Sequence, residues 1–271
     1  MSETVQHAGN LQGYSVLITG GGTGIGAGCA AELAADGAAV TICGRREEVL
    51  NEAAEKINAA AAFGGSVQIV TGDVTSEDDV KAIVEKALQP TGKLNGCIAN
   101  AGGGGMIYGY ENMDTEDFIR VMNLNVLGTM LCVKHTLPRM MEAGGGSFIG
   151  MSSLAGHITH PFFGAYPVAK AGIEAMMRNC ADENGKHNVR FNAIRPGFVA
   201  TEIMDMIPRD GEIYESYIVN TPLGDVGYPE DIGHLARFLI SPESRWITGQ
   251  CINVDGGHSL RRGPDFSSFK G

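Results

Sequence analysis

The fold is decided by residues 14–26, which have the sequence YSVLITGGGTGIG and lead into an alanine-rich segment. The apolar residues 14–19 are typical of a buried strand, and residues 26–35 have the length and composition of a helix. Glycines at 20, 24 and 26 allow a sharp turn and a close backbone approach, and a helix start offers unpaired N–H groups with positive potential. The stretch therefore predicts a strand, a turn and a helix that together bind a pyrophosphate.

Short apolar runs alternate with helix-length segments along the whole chain. The candidate strands are residues 14–19, 39–43, 67–71, 94–99, 147–151, 189–194 and 251–254. The candidate helices are residues 26–35, 46–61, 76–88, 115–141, 165–184 and 229–239. Because most of the strands are continuously apolar, as strands covered on both faces are, we expect a parallel sheet between two helical layers. The prediction is one doubly wound, Rossmann-like α/β domain over residues 1–271, a three-layer αβα sandwich with a seven-stranded parallel sheet.

Composition limits the classes of partner. Lys and Arg number 20 against 31 Asp and Glu, and the formal net charge of -11 repels phosphate backbones and anionic lipid surfaces. The apolar runs fall short of the ~20 residues that a membrane span needs, and residues 1–13 lack the basic and apolar regions of a signal peptide. Six scattered cysteines show neither CxxC nor Cys/His ligand spacing. We therefore expect a cytoplasmic protein with no nucleic-acid partner, no membrane partner and no bound metal.

Tyr166 and Lys170 lie four residues apart and so share one face near the start of a candidate helix. Ser152 and Ser153 follow the fifth candidate strand, at the carboxyl end where open α/β sheets bind their ligands. A phenol has a free pKa of ~10, and an ammonium ~4 Å away at an effective dielectric of ~20 favours the phenolate by roughly 4 kcal/mol. We therefore expect the Lys170 ammonium to lower the pKa of Tyr166 toward neutrality, which suits proton transfer.

Together and in this order, the motifs resemble the classical short-chain dehydrogenase/reductase family over residues 11–257. The pattern Thr-Gly-x-x-x-Gly-Ile-Gly starts at Thr19, Asn100-Ala101-Gly102 follows the fourth candidate strand, and Tyr166 and Lys170 come later. The resemblance implies a nicotinamide dinucleotide cofactor and hydride transfer to or from a small-molecule carbonyl or alcohol. It also implies these cofactor contacts: Gly20, Thr23, Gly24, Ile25 and Gly26 in the loop, Asp73 at the adenine with Val74 beside it, Asn100, Ala101 and Gly102 at the adenine ribose, Tyr166 and Lys170, and Pro196, Gly197, Val199 and Thr201 near the nicotinamide.

The same resemblance implies the roles of four catalytic residues. Tyr166 is the general acid/base, and Lys170 lowers its pKa and holds the nicotinamide ribose. Ser153, thirteen residues before the tyrosine, hydrogen-bonds the substrate carbonyl, with Ser152 as the alternative. Asn125 positions a water that links the lysine to solvent.

The end of the second candidate strand bears on the choice of cofactor. Where an NAD site has an Asp or Glu that accepts hydrogen bonds from the ribose hydroxyls, this chain has Gly44, followed by Arg45 and Arg46. A missing carboxylate removes repulsion of a 2′-phosphate, and a guanidinium supplies charge-assisted donors. Arg45 and Arg46 are therefore predicted to favour NADP(H); if both merely start a solvated helix, NAD(H) stays open.

Residues near the expected mouth of the site are largely apolar, which favours a lipophilic or alicyclic carbonyl compound over a sugar. They lie in residues 103–106, in residues 154–163 and in a substrate lid at about residues 202–224. The apolar lid residues are Ile203, Met204, Met206, Ile207, Tyr214 and Tyr217. His157 and His160 are weaker candidates for substrate contacts. Residues 1–10 and 258–271 are expected to be tails.

The family resemblance also implies a homotetramer, because residues 247–257 correspond to a final strand that is usually buried in a subunit contact. Two kinds of alternative function stay open. The first is reduction of enoyl-CoA, dienoyl-CoA or 3-ketoacyl thioesters, although residues 141–146 lack basic residues that would dock a carrier protein. The second is a non-catalytic NADP-binding sensor, although such proteins commonly lose the tyrosine or the lysine.

Overall fold

The computed structural model describes residues 8–261 except 203, 205 and 206. Seven parallel strands form one sheet in the order β3-β2-β1-β4-β5-β6-β7. They are β1 (Ser15–Thr19), β2 (Ala39–Gly44), β3 (Ser66–Thr71), β4 (Gly96–Ala99), β5 (Gly146–Met151), β6 (Val189–Pro196) and β7 (Cys251–Val254). The sheet confirms the predicted doubly wound architecture, and every candidate strand matches an observed strand to within two residues at each end.

Helices connect the strands and cover both faces of the sheet. Those in the described part of the chain are α1 (Gly24–Ala35), α2 (Glu47–Ala60), α3 (Glu77–Leu88), α4 (Thr115–Met122), α5 (Gly128–Glu142), α6 (Tyr166–Asn184), α7 (Glu212–Asn220) and α8 (Pro229–Ile240). Two differences from the sequence prediction concern the site. The helix expected over residues 115–141 is interrupted by a π-helical turn at Asn123–Leu127, and the expected lid contains α7.

Burial on both faces explains why the strands are continuously apolar. In β1, Val16 and Ile18 pack into one hydrophobic cluster, whereas Leu17 packs into a second cluster on the opposite face. The first cluster includes residues of α1, α2 and α8, and the second includes residues of α3, α5 and α6. Side chains of adjacent residues in a strand point to opposite faces, so a strand between two helical layers needs apolar residues at every position.

The sheet has its switch point between β1 and β4, which are neighbours with Thr19 opposite Ala99. From β1 the chain runs outward through β2 to β3, and then returns to β4 and continues in the other direction. The connections that leave β1 and β4 therefore diverge, and a crevice opens at the carboxyl ends of these two strands. The predicted site residues all follow strands at this edge or lie on the helices beside it.

Candidate active site

The glycine loop after β1 makes backbone contacts that only glycine permits. Gly20 and Gly24 have positive φ angles of 64° and 50°. A Cβ atom on Gly26 would lie 2.1 Å from the carbonyl oxygen of Gly20, so a side chain there would displace the loop. Thr23 precedes α1 without capping an N–H group through its side chain, and the first turn of α1 holds no acidic residue. The start of α1 thus offers donors and positive potential that fit a pyrophosphate.

Asn100, just after β4, ties the glycine loop to the neighbouring strand. Its Nδ2 donates to the carbonyl oxygens of Thr19 and Gly20, both at 3.0 Å. The Oγ1 of Thr19 accepts from the backbone N–H groups of Asn100 at 3.1 Å and Ala101 at 3.0 Å. These bonds use the Asn100 amide to hold the loop in shape, and they bring Ala101 and Gly102 to the edge of the crevice.

The end of β2 leaves space beside two arginines. A Cβ atom on Gly44 would contact only the side chain of Leu50, at 3.6 Å, and Arg45 and Arg46 are exposed. Asp73 lies nearby, and its Oδ1 accepts from the N–H of Thr75 at 2.9 Å and from its Oγ1 at 2.8 Å. These bonds lower the pKa of Asp73, and the charge of Arg45 acts in the same direction. The Asp73 carboxylate is therefore ionised close to the Arg45 guanidinium.

Tyr166, Ser153 and Lys170 converge where β5 ends. Tyr166 begins α6, and the Ser153 hydroxyl lies close enough to the Tyr166 hydroxyl to lower its pKa. Lys170 lies one helical turn further along and is 4% exposed. Its Nζ is 5.3 Å from the centroid of the Tyr166 ring and donates to the carbonyl oxygen of Met151 at 2.9 Å. The phenol, the hydroxyl and the amine thus form one group of donors and acceptors.

The two neighbouring serines have different surroundings. Ser152 is buried, and its Oγ donates to Glu174 Oε1 at 2.8 Å. Glu174 in turn forms a buried ion pair with Arg195, whose NH2 donates to Oε2 at 2.6 Å. Ser153 instead accepts from the N–H of Ala155 at 3.2 Å, and its hydroxyl acts on the pKa of Tyr166. Ser152 therefore serves the packing between α6 and the sheet, whereas Ser153 stands next to the phenol.

The pKa values of Tyr166 and Lys170 depart from the sequence expectation. Burial raises the pKa of Tyr166, and the hydrogen bond with Ser153 only partly opposes this. Burial also lowers the pKa of Lys170 from 10.5 to about 8. The expectation that Lys170 lowers the pKa of Tyr166 toward neutrality is therefore wrong for the protein alone, because burial of the phenol dominates its pKa. The phenol is protonated at neutral pH, and the amine exchanges its proton near that pH.

The low pKa of Lys170 predicts how stability depends on pH. Between about pH 8 and 10.5 the unfolded chain binds more protons at this residue than the folded chain does, so its contribution to stability rises with pH. Relative to Lys170→Met, the wild-type protein should gain about 2 kcal/mol of unfolding free energy between pH 7.5 and 9.5, at ~1.4 kcal/mol per pH unit above the folded pKa. Urea unfolding of both proteins at both pH values measures this difference. Identical pH dependence in the two proteins would contradict the assignment.

The π-helical turn between α4 and α5 places Asn125 behind Gly102 and Gly103. Asn125 is fully buried, and its Nδ2 donates to the carbonyl oxygens of Gly103 at 2.9 Å and Val121 at 2.8 Å. Its Oδ1 accepts from the N–H of Gly103 at 3.3 Å. A Cβ atom on Gly102 would lie 2.5 Å from this Oδ1 and 3.1 Å from Lys170 Nζ, so both groups flank the same glycine. Asn125 therefore lies behind the cavity wall, near Lys170.

Residues 196–201 run from the end of β6 across the crevice. Gly197 donates its N–H to Val254 at 2.9 Å, and a Cβ atom there would lie 2.7 Å from the backbone of Asp255. Val199 pairs with Gly227 through an isolated bridge. The side chain of Thr201 approaches Gly24, at 3.1 Å from the position of a Cβ atom on that glycine. The segment therefore closes the crevice opposite the glycine loop.

A cavity of about 880 Å³ joins these elements. It is lined by every predicted catalytic and cofactor-binding residue except two: Gly26, which packs behind the loop, and Asn125. Among the residues that the sequence analysis missed, Leu124 and Phe198 also line it, and Glu202, at the start of the expected lid, lines it too. Phe198 had a usable signal, since it is the apolar residue between two predicted contacts, Gly197 and Val199. Leu124 faces the cavity because of the π-helical turn, for which the sequence gives no signal.

The end of the cavity beyond Tyr166 is aromatic and apolar. The ring of Phe163 lies 4.9 Å from that of Tyr166, and Phe198 stacks on Tyr217 at 4.3 Å with an interplanar angle of 7°. Other lining residues at this end are Ile107, Met204 and Ile207. Of the remaining residues expected here, Tyr214 lines a separate cavity of about 150 Å³, His160 is buried against Tyr217 and His157 is exposed. Ile203 and Met206 lie outside the described residues.

The fold and this cavity define an α/β oxidoreductase of the dinucleotide-binding class. A family model described as enoyl-(acyl carrier protein) reductase matches residues 20–259. The chain belongs to the short-chain dehydrogenase/reductase family, whose members use nicotinamide dinucleotides and act on alcohol and carbonyl groups.

Relatives cover almost the whole chain. A 2,5-dichloro-2,5-cyclohexadiene-1,4-diol dehydrogenase from Sphingobium indicum is 33% identical over 92% of this chain and 98% of its own. A 7alpha-hydroxysteroid dehydrogenase from Escherichia coli is 32% identical over 91% of this chain and 94% of its own. A solved short-chain type dehydrogenase/reductase from Mycobacterium ulcerans has a TM-score of 0.93 at 43% identity, covering 95% of this chain and 94% of that one. The protein is thus an oxidoreductase of alcohol and carbonyl groups on a small molecule.

Among the described residues, no helix has both the length and the apolar composition needed to cross a membrane. The same residues contain no cluster of three or more His, Cys, Asp or Glu side chains that could hold a metal ion.

Proposed function

We propose that the protein is an NADP(H)-dependent oxidoreductase that interconverts a secondary alcohol and a ketone on an apolar, cyclic small molecule, with Tyr166 as general acid/base. The observation that carries the proposal is the convergence of Tyr166, Ser153 and Lys170 in the same cavity as the glycine loop. A bound nicotinamide would supply or accept the hydride. The protein must then orient the substrate oxygen and move one proton, and this group of side chains has the donors to do both.

In ketone reduction, Ser153 donates a hydrogen bond to the carbonyl oxygen and Tyr166 gives its proton to the same oxygen as the carbonyl carbon becomes tetrahedral. The raised pKa of Tyr166 keeps this proton available at neutral pH. Lys170 returns a proton to Tyr166, because its own pKa of about 8 lets it gain and lose a proton near neutrality. In the oxidation direction, Tyr166 takes the proton from the alcohol. Asn125 lies behind Gly102 and close to Lys170. Its proposed role is to position a water that links Lys170 to solvent.

An apolar and cyclic substrate is supported by the aromatic end of the cavity and by the relatives. The side chains of Phe163, Phe198 and Tyr217 offer flat apolar surfaces to a ring. The names of the two relatives above describe a chlorinated cyclohexadiene diol and a hydroxysteroid, both cyclic secondary alcohols. Residues 202–224, which include α7, are proposed to act as the substrate lid.

The test of the proposed activity is the oxidation of NADPH by the purified protein in the presence of a panel of cyclic ketones and sugars. We expect turnover of apolar ring ketones and much slower turnover of sugars. A protein that reduces none of these compounds but binds NADPH would instead be the non-catalytic sensor.

The proposed preference for NADP(H) predicts a large effect of Arg45→Ala combined with Arg46→Ala. Loss of charge-assisted hydrogen bonds to the 2′-phosphate should raise the KM for NADPH by roughly 10- to 100-fold, at ~1.5–3 kcal/mol for a hydrogen bond to a charged group. The KM for NADH should change little, because NADH lacks that phosphate. Lys56→Ala is the matched control, since Lys56 is an exposed cation on α2 that does not line the cavity. Equal losses for both cofactors, or a wild-type preference for NADH, would refute the assignment.

We further propose that the protein forms a homotetramer in the cytoplasm. β7 is an edge strand, and Trp246, Leu260 and Leu223 are large apolar residues with at least four-fifths of their surface exposed. Covering such residues and the free edge of β7 by another subunit would be favourable. The six cysteines are all free thiols, as expected in a reducing compartment.

Reduction of an enoyl or 3-ketoacyl thioester is the second candidate, favoured by the description of the matching family model. An acetoacetyl thioester in the same NADPH assay separates the two candidates. If the thioester exceeds every ring ketone in kcat/KM, the second candidate replaces the first.

A further inference from the structure

Tyr217 carries a hydroxyl group that the proposed mechanism does not use. The residue lies on α7, lines the main cavity and is 7% exposed. Among the described residues, none is hydrogen-bonded to its hydroxyl; its backbone carbonyl accepts from Thr221 Oγ1 at 2.8 Å. The hydroxyl oxygen is not completely buried, so it is accessible from the cavity and can bond a molecule that enters it. The hydroxyl therefore points to a partner that comes from outside the chain.

Packing fixes the direction of the Tyr217 side chain. One face of its ring stacks on Phe198 at 4.3 Å, and the ring meets His258 edge to face at 5.5 Å. His160 lies at 6.4 Å on another side. A side chain held on several sides loses little further freedom when it binds a ligand, so its hydroxyl is preorganised.

Tyr217 and the reacting group belong to the same end of the cavity. Ser153, Tyr166 and Tyr217 all line it, with Phe163 next to the Tyr166 ring. Ionisation of Tyr166 would raise the pKa of Tyr217, which places the two phenols within electrostatic reach of each other. The surrounding side chains, Ile107, Met204 and Ile207, are apolar. Tyr217 therefore offers a polar group in the otherwise hydrophobic end of the cavity beyond Tyr166.

We propose that the Tyr217 hydroxyl hydrogen-bonds a second oxygen of the substrate while Ser153 and Tyr166 hold the reacting one. The preferred substrates are thus ring ketones or ring alcohols that carry a further carbonyl or hydroxyl group. This inference rests on the proposed function. Such a site should discriminate strongly between substrates with and without the second oxygen. When a substrate lacks this oxygen, the polar group of the protein that would bond it is left unpaired.

The test compares cyclohexanone with cyclohexane-1,2-dione and cyclohexane-1,4-dione, and a fused bicyclic ketone with its dione. For the wild type, at least one dione should exceed its parent ketone in kcat/KM by tenfold or more, after correction for equivalent carbonyls. In Tyr217→Phe this ratio should fall to near one. Tyr214→Phe is the matched control, because Tyr214 is on the same helix and contacts Phe198 edge-on but lines the separate small cavity. If Tyr217→Phe lowers the kcat/KM of ketones and diones by the same factor, the inference is wrong.

A binding measurement separates failure of this inference from failure of the proposed function. Calorimetric titration of Tyr166→Phe with each compound, in the presence of saturating NADP+, reports affinity without turnover. The preferred dione should bind at least tenfold more tightly than its parent ketone, and the added Tyr217→Phe substitution should remove the difference. If this pattern appears although the wild type reduces none of the ketones, the activity is wrong and the second-oxygen site stands. Equal affinities for the ketones and diones would overturn the inference itself.

Discussion

Tyr166→Phe is expected to lower kcat by about a thousandfold, because general acid–base catalysis contributes roughly 10²- to 10⁴-fold. The substitution removes the hydroxyl next to Ser153 and keeps the ring that packs against Phe163. NADPH affinity and thermal stability should therefore remain near the wild-type values. Steady-state kinetics with a ring ketone, together with fluorescence titration of NADPH, measures both effects.

The control for this experiment is Tyr110→Phe, the same chemical change at an exposed tyrosine. It should leave kcat unchanged. A Tyr166→Phe protein that keeps most of its kcat would refute the proposed mechanism, since that mechanism takes the transferred proton from the Tyr166 hydroxyl. A loss of NADPH affinity as large as the loss of kcat would instead assign Tyr166 to cofactor binding alone.

Gly26→Ala is expected to abolish dinucleotide binding, with an increase in the Kd for NADPH of at least roughly 100-fold. The added methyl group would lie 2.1 Å from the Gly20 carbonyl oxygen and 2.6 Å from Asn100 Nδ2. These are backbone and fixed side-chain atoms, so the loop itself must move and the donors at the start of α1 lose their positions. Overpacking of this kind typically costs ~1–3 kcal/mol of stability, so the thermal midpoint should fall as well.

Gly22→Ala is the matched control in the same loop. Its methyl group would lie 3.2 Å from a side-chain carbon of Val49 and 3.3 Å from one of Leu50, contacts that small side-chain shifts relieve. It should change NADPH affinity by less than about threefold, equivalent to ~0.7 kcal/mol. If both variants bind NADPH equally well, the tight packing at Gly26 does not support the phosphate site.

The sequence alone was sufficient to predict the sheet and the parts of the cavity that directly follow its strands. Continuous apolar runs identify buried parallel strands, and the carboxyl ends of parallel strands meet at one edge. The glycine loop, Asn100 and Ser153 could therefore be brought together without coordinates. The π-helical turn could not be predicted, because Asn123–Leu127 has no composition that distinguishes it from the α-helix on either side.

The electrostatics of the site depended on burial that no local pattern reveals. The sequence placed Tyr166 and Lys170 on one helix face, and charge attraction alone would lower the pKa of the phenol. In the structure Lys170 lies among buried groups beside the Met151 carbonyl, and Tyr166 is packed against Phe163. Loss of solvent raises one pKa and lowers the other, so both ionised forms are disfavoured.

Tyr217 shows a second limit of sequence reasoning. It could be recognised as an apolar lid residue, but not as the bearer of a hydroxyl that is accessible from the cavity and has no hydrogen-bond partner among the described residues. That property requires Phe198, His160 and His258, which are far apart in the chain, to surround the ring.

The π-helical turn also constrains how this chain can vary in length. Val121 before the turn and Leu131 after it are both buried, so each half of the interrupted helix is already locked in rotation. Deleting one residue from 123–127 would convert the turn into an uninterrupted α-helix and keep its two halves in phase, because the wider π turn holds one extra residue in nearly the same rotation. Val121 and Leu131 would keep their places, but the side chains within the turn would shift and Asn125 would leave the glycines it holds. The extra residue in this turn is thus as much a requirement of the site as any side chain in it.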